Sequence, residues 1–98
     1  MNIQAMMKQA QKLQKDMMAA KNEIDSQIFE GSSSIVNVKV NGKKEIIEVK
    51  INSEQIEPDD IEMLQDMIVV AVNEAMKKVD EETEKKMGKY TQGLPGIF

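Results

Sequence analysis

The N-terminal segment constrains the fold most, because its apolar residues recur every three or four positions. The series runs Ile3, Met6, Ala10, Leu13, Met17, Ala20 and Ile24. This spacing is typical of the a and d positions of a coiled-coil seam. About 25 helical residues make a rod of about 37 Å, whereas a compact chain of about 100 residues has a radius of gyration of about 13 Å. The rod therefore overhangs its own domain or packs along a partner.

The hydrophobic core is expected to be small, since only three of the 98 residues are aromatic. We expect one domain over residues 1–90 and a flexible tail over residues 91–98, where Gly93, Pro95 and Gly96 interrupt regular structure. A domain of this size buries only about two thirds of the surface that its unfolded chain exposes. The sequence therefore predicts a homodimer, although the seam could instead pack on the chain's own second helix.

The middle of the chain changes to a two-residue period, which is typical of β-strands. Two series show this period: Val36, Val38 and Val40, then Ile47, Val49 and Ile51. Asn41-Gly42 between them predicts a hairpin with a type I′ turn, which requires positive φ at both central residues. Lys43-Lys44 could lengthen that loop. A short strand over residues 27–30 and a flexible turn over residues 31–34 complete a predicted three-stranded antiparallel sheet.

A second long helix is predicted to begin near Pro58, because proline suits the first helical position and acids suit the positive end of the helix dipole. Residues 67–72 are apolar without interruption, so this section is expected to be buried on all sides, between the sheet and another helix. The predicted fold is α+β, with a long N-terminal helix, a three-stranded antiparallel sheet and a long C-terminal helix.

The apolar surfaces of the two helices supply the predicted dimer interface. On the first helix it comprises Ile3, Met6, Ala10, Leu13 and Met17. On the second helix it comprises Met67, Ile68, Ala71 and Val72. The spacing alone does not decide which helix meets the second copy.

Catalysis is not expected, because the chain contains no histidine and no cysteine. It also has no glycine-rich phosphate loop, no metal-ligand spacing and no nucleophile beside a base. We expect no catalytic residue, metal, cofactor or small-molecule substrate. Asp59, Asp60 and Glu62 could hold a hard cation weakly, but their place at a helix start explains them better. No apolar run approaches the about 18–20 residues of a membrane span, so a cytoplasmic protein without a membrane partner is expected.

The charge is unevenly distributed. The net charge of −4 disfavours nucleic-acid binding, but residues 53–74 hold seven acids and no basic residue, while residues 85–98 hold three lysines and no acid. Lys8, Lys12 and Lys15 fall on one helix face opposite the seam. The other basic set comprises Lys85, Lys86 and Lys89. Either set could be an ordinary solvated surface, and lysine near a helix C-terminus is stabilising in any case.

Five segments occur in an order that covers nearly the whole chain. They are Met-Lys-Gln-Ala-Gln-Lys-Leu-Gln at residues 7–14, Val-Lys-Val-Asn-Gly at 38–42, the approach to the second helix at 51–58, Asn-Glu-Ala at 73–75 and Gly-Leu-Pro-Gly at 93–96. Together they resemble the YbaB/EbfC family of nucleoid-associated proteins. The resemblance implies a small antiparallel sheet between long helices, and a dimer whose helices project as tweezer-like arms.

The resemblance also implies a function, namely binding of double-stranded DNA in the bacterial nucleoid, with effects on DNA conformation, gene expression and nucleoid organisation. Lys8 and Lys12 match the family's segment, whereas Lys15, Lys85, Lys86 and Lys89 are assigned to DNA from charge placement. Stacking aromatic residues are lacking, so backbone contacts with little sequence preference are expected. The rival hypothesis is an acidic protein-interaction or scaffold homodimer that does not bind DNA.

Overall fold

The structure, a computed structural model, describes residues 2–54 and 56–91, without the side chain of Thr91. Its elements are α1 (Ile3–Ser26), β1 (Ile28–Ser33), β2 (Val36–Asn41), β3 (Ile46–Ile51), a 3-10 turn (Pro58–Asp60) and α2 (Ile61–Thr91). The strands form one antiparallel sheet in the order β1-β2-β3. This order confirms the predicted α+β fold. Most of the predicted tail, residues 92–98, lies outside the described residues.

Helix α1 projects from the rest of the molecule. Its start is capped by Asn2, whose Oδ1 accepts a hydrogen bond from the Ala5 backbone N–H at 3.3 Å, and Ile24 is its only buried residue. The described chain measures 72 × 22 × 14 Å with a radius of gyration of 19.4 Å, well above the about 13 Å of a compact chain of this length. The rod therefore overhangs its own domain, as one of the two sequence-based alternatives predicts.

The core lies between one face of the sheet and α2. The sheet contributes Phe29, Val36, Val38 and Val40, and α2 contributes Ala71, Ala75 and Val79. Register places Val49 of β3 opposite Val38 of β2, so both side chains project from the same face. Val38 is 0 % exposed but Val49 is 44 % exposed, because α2 packs mainly across β1 and β2. The apolar face of β3 is thus left largely uncovered within one chain, with only Ile51 half-buried against the core.

Strand β1 is longer than the sequence predicts. It continues through Ser33, and the turn to β2 is made at Ser34, which has φ 51°. The prediction of a flexible turn over residues 31–34 is therefore wrong. Gly31 lies in the strand directly beneath α2, where a Cβ atom would collide with the backbone of Ala71 and Ala75. Glycine in a strand can mark close approach of another backbone, and that is its role here.

A pair of glycine substitutions tests this close approach. Gly31→Ala is expected to destabilise the fold by about 1–3 kcal/mol, because α2 must move to admit the methyl group. The matched change Gly88→Ala, where a Cβ would meet nothing within 4 Å, is expected to stabilise α2 by about 0.5–1 kcal/mol. Urea denaturation with constant m-value measures both. Equal midpoints for the two variants would contradict the packing of Gly31 against α2.

The β2–β3 hairpin is present, but its predicted type I′ turn is wrong. The left-handed residue is Lys44, with φ 64°, and its N–H donates to the Asn41 carbonyl at 3.0 Å. A tight turn followed by one left-handed residue is another common hairpin loop. Gly42 serves packing instead, since a Cβ there would collide with the Ile24 carbonyl at the end of α1.

Residues 67–72 of α2 are buried on one side only. Ala71 is fully buried against the sheet, and Met67, Ile68 and Val72 are half-buried. Val69 and Val70 are exposed, so the expectation of burial on all sides does not hold within one chain. Together with Ile46, Ile47 and Val49 of β3, they leave the body of the molecule with uncovered apolar side chains.

Candidate nucleic-acid interface

Helix α1 carries an unpaired basic stripe. Lys8, Lys12 and Lys15 are exposed, and within the described residues none of them has an ion-pair partner. Residues 3–15 contain these three lysines and no acid. Four-residue and three-residue steps separate the lysines by about 6 Å and about 4.5 Å along the helix axis. Their ammonium groups are therefore free to meet several phosphates in a row.

The three lysines near the end of α2 differ in exposure and in contacts. Lys85 is exposed without an ion-pair partner among the described residues, and the Lys89 ammonium lies 5.0 Å from the centroid of the Tyr90 ring. Lys86 Nζ donates to Glu23 Oε1 at 2.7 Å and to Gln27 Oε1 at 3.4 Å, and its side chain is only 26 % exposed. Lys86 therefore ties α2 to α1, and its ammonium group is already engaged within the chain.

The two helices run antiparallel where they touch. Gln27, just after α1, donates through Nε2 to Glu82 Oε2 of α2 at 3.3 Å. Glu23 lies four residues before Gln27, and its partner Lys86 lies four residues after Glu82. Because both helices rise equally per residue, continuing this pairing along the two axes places residue 91 of α2 beside residue 18 of α1. Lys85 and Lys89 thus lie at the base of the projecting arm, whereas Lys15, Lys12 and Lys8 follow one another beyond the end of α2.

Three lysines in the body of the molecule are paired with acids, whereas Lys50 and Lys77 have no ion-pair partner within the described residues. Lys39 lies 3.7 Å from both Glu30 and Glu48, and Lys44 lies 2.6 Å from Asp80. Lys78 lies 3.6 Å from Glu74 and also donates to the Glu30 carbonyl at 2.7 Å. Unpaired positive charge in the described chain is therefore concentrated on α1 more than on the sheet.

Lys43 is a further basic residue without an ion-pair partner among the described residues. It is exposed at the hairpin tip and lines a cleft of about 510 Å³ at the base of the arm. The cleft also contains Lys21 and Lys44, each paired with an acid, so Lys43 supplies its unpaired charge. In the sequence, the Lys43-Lys44 pair indicates a longer hairpin loop and does not by itself distinguish the unpaired lysine from the paired one.

Apolar seam residues of α1 remain exposed towards its N-terminus. Ile3, Met6, Ala10 and Leu13 are exposed, and Met17 is half-buried. Ala71, in contrast, is fully buried in the core of its own chain, so it is not available to a second copy. The other α2 residues of the predicted interface, Met67, Ile68 and Val72, keep part of their surface accessible.

Neither a metal centre nor a membrane-spanning helix occurs in the described part of the chain. Residues 2–54 and 56–91 contain no group of three or more His, Cys, Asp or Glu side chains able to hold a metal ion. Neither α1 nor the described part of α2 is long and apolar enough to cross a membrane.

Comparison with known proteins gives concordant results. The model of the YbaB/EbfC DNA-binding family matches residues 1–94. A nucleoid-associated protein of Ligilactobacillus salivarius is 46% identical, over 99% of this chain and 95% of that protein. One from Clostridium novyi is 48% identical, over 100% of this chain and 90% of that protein. The crystal structure of an uncharacterized Helicobacter pylori protein has the same fold, with a TM-score of 0.74 and 20% identity over 92% of this chain and 97% of that one.

Proposed function

Because the chain belongs to the YbaB/EbfC DNA-binding family, we propose that it is a nucleoid-associated protein that binds duplex DNA through the phosphate backbone. It acts as a homodimer in the bacterial cytoplasm, without catalysis, and changes DNA conformation, gene expression and nucleoid organisation. The observation that carries the proposal is the projecting, acid-free segment of residues 3–15 with its three unpaired lysines.

The acidic net charge does not oppose this proposal, because the largest group of acids lies far from the arm and Asp16, the first acid of α1, follows the lysine stripe. Asp59, Asp60, Glu62 and Asp66 surround the start of α2, about 40 Å along the helix axis from its end at Thr91. Exposed charges separated by much more than about 10 Å are screened at 0.1 M salt. Glu81 and Glu84 lie nearer, beside Lys85, so the tip of the arm is more positive than its base.

The kind of basic residue supports contact with little sequence preference. All 13 basic residues are lysines, and the bidentate guanidinium that most often reads guanine in the major groove is absent from the chain. Lysine instead offers a mobile point charge that any phosphate satisfies. Contacts of this kind position a protein on the duplex without reading its bases.

The uncovered apolar surface of the body supports the proposed homodimer. Val69 and Val70 of α2 and Ile46, Ile47 and Val49 of β3 are exposed in one chain. We assign the dimer contact to this body surface, together with the accessible edges of Met67, Ile68 and Val72. A two-fold contact there leaves both arms projecting, so that one dimer presents six stripe lysines to DNA.

Titration of two unrelated duplexes of equal length against salt tests the function. Binding is expected to be similar for both sequences and to weaken linearly on a log–log plot, with a slope of about −5 if all six stripe lysines contact phosphates. A large difference between the duplexes would contradict backbone readout. Absence of binding at low salt would favour the scaffold hypothesis instead.

A further inference from the structure

The apolar seam of α1 is covered by a helix at one end and is open, within the described residues, at the other. Ile24 is 3 % exposed and shares a cleft with Met87 of the antiparallel helix α2. Leu13, in contrast, is 51 % exposed and Ile3 is 70 % exposed. The change occurs where α2 ends, level with residue 18. The covered end shows what this seam accommodates, namely a second helix that runs in the opposite direction.

The open end of the seam is complementary to a second copy of itself. When two copies of α1 run antiparallel about a two-fold axis level with residue 8, Ile3 of one copy faces Leu13 of the other, and Met6 faces Ala10. A large side chain thus meets a small one, as interdigitating layers require. Each helix then begins about 7 Å short of the level at which the other copy's α2 ends, so neither α2 is displaced.

Charge does not oppose contact between two identical arms. The positions that flank the seam within residues 3–13 are Met7 and Gln9, and neither is charged. The stripe lysines lie on the face opposite the seam, so the ammonium groups of the two copies point away from each other. Pairing through the seam therefore leaves these lysines accessible to phosphates.

The antiparallel direction decides which copies can meet. Parallel arms cannot pair, because each α2 covers the seam at the base of its own arm and is about 10 Å thick, whereas paired helix axes lie only about 8–10 Å apart. Antiparallel arms instead place the two bodies at opposite ends of the contact. The paired copies therefore belong to two different dimers, each joined through its own body surface.

The size of the contact sets its strength. Residues 3–13 are far fewer than the about 20–30 residues a side of a stable interface, so arm pairing is weak between free dimers. Dimers held on DNA lie close together, and each has two arms, so the effective concentration of one arm near another is raised.

We propose that the α1 seam joins dimers to one another, with residues 3–13 of two arms paired antiparallel, and that two dimers linked in this way bridge two DNA duplexes. The bridging rests on the proposed DNA binding, whereas the arm contact does not require DNA. The lysine stripes of the paired arms lie on opposite outer faces, so each stripe meets a separate duplex.

Retention of a fluorescent duplex on beads that carry a second, unlabelled duplex tests bridging. The unmodified protein is expected to retain the fluorescent duplex. Leu13→Asp is expected to abolish retention, because each arm contact then buries two carboxylates without partners and weakens by a factor on the order of 100 or more. Met18→Asp places the same charge on an exposed α1 residue outside the seam and is expected to retain the duplex.

Three further measurements separate the arm contact from the other properties of the protein. Both variants are expected to bind a single duplex equally well in fluorescence anisotropy. Both are expected to keep their helix content by circular dichroism and to remain dimeric in sedimentation, because Leu13 and Met18 are exposed in one chain.

A single cysteine tests the register without DNA, because the chain contains none. Met7 flanks the seam one residue from the two-fold axis, so Met7→Cys brings thiols of two copies close together. A short bis-maleimide is expected to link them and to give a species of two dimers in size-exclusion chromatography. Adding Leu13→Asp is expected to suppress this species. Gln11→Cys, exposed on the side of α1 away from the seam, is expected to give little of it.

The outcomes distinguish this inference from the proposed function. Duplex binding by the unmodified protein without retention of the second duplex would overturn the bridging and leave the function intact. Retention by Leu13→Asp at the unmodified level would also overturn it, because one dimer would then bridge with its own two arms. A monomeric Leu13→Asp protein would show that the seam holds the dimer itself. Absence of binding to any duplex would instead count against the proposed function.

Discussion

Lys8→Glu combined with Lys12→Glu is expected to abolish detectable duplex binding at physiological salt. Both residues lie on the acid-free segment of the arm and have exposed ammonium groups. A dimer loses four phosphate contacts, which lowers the magnitude of the log–log salt slope by about 3.6. The four new carboxylates also repel the phosphates. Fluorescence anisotropy across a salt series measures both the affinity and the slope.

The matched control reverses two lysines of the body. Lys50 and Lys77 are exposed and have no ion-pair partner within the described residues, so Lys50→Glu with Lys77→Glu changes net charge by the same amount. We expect this variant to keep most of its affinity and its salt slope. Equal losses in the two double variants would show that overall charge governs binding, and the assignment of the α1 stripe would then be wrong.

Val69→Asp is expected to dissociate the homodimer. Val69 is 57 % exposed in a single chain, so an aspartate there costs the isolated protomer little. In the proposed dimer the carboxylate becomes buried without a partner, which costs about 3–5 kcal/mol in each copy, so the two copies together raise the dissociation constant by a factor on the order of 10⁴ or more. Two-fold symmetry places one such charge in each copy. Sedimentation equilibrium measures the change.

Met18→Asp serves as the matched control for Val69→Asp. Met18 has a comparable exposure of 58 % but lies on α1, away from the body surface. We expect the Met18→Asp protein to remain dimeric and both variants to keep their helix content. A Val69→Asp protein that stays dimeric at submicromolar concentration would move the dimer contact away from the middle of α2.

Local patterns predicted the elements well, because each pattern reports on residues close together in the chain. The three-and-four spacing from Ile3 to Ile24 predicted a helix, and α1 spans Ile3–Ser26. The valines of β2 are buried and the residues between them are half-buried, as the two-residue period predicts. Two of the predictions that failed concern turns in which a glycine takes part. Gly31 and Gly42 are needed for backbones distant in sequence, Ala71 and Ile24, which no local pattern shows.

In the candidate site too, contacts between residues distant in sequence are not visible in local patterns, as the lysines at the end of α2 show. Lys85 and Lys86 are indistinguishable in the sequence, yet only Lys86 reaches Glu23, 63 residues away. Likewise, Ala71 and Val70 are neighbours in one apolar run, but α2 turns Ala71 into the core and leaves Val70 exposed. Which lysine is free and which apolar residue is accessible depends on how α2 is rotated against the sheet and α1.

The sequence by itself determined the order of helices and strands, the apolar seam and the lysine stripe on the opposite face of α1, because helical and strand periodicity assign residues to faces. Only the tertiary structure decided that α2 ends level with residue 18 and that the seam is therefore covered at Ile24 and open at Leu13. It also decided that β3 keeps an uncovered apolar face. The physical reason is that burial depends on the relative placement of whole elements, and long-range contacts such as Glu23 with Lys86 and Gly31 with Ala71 set that placement.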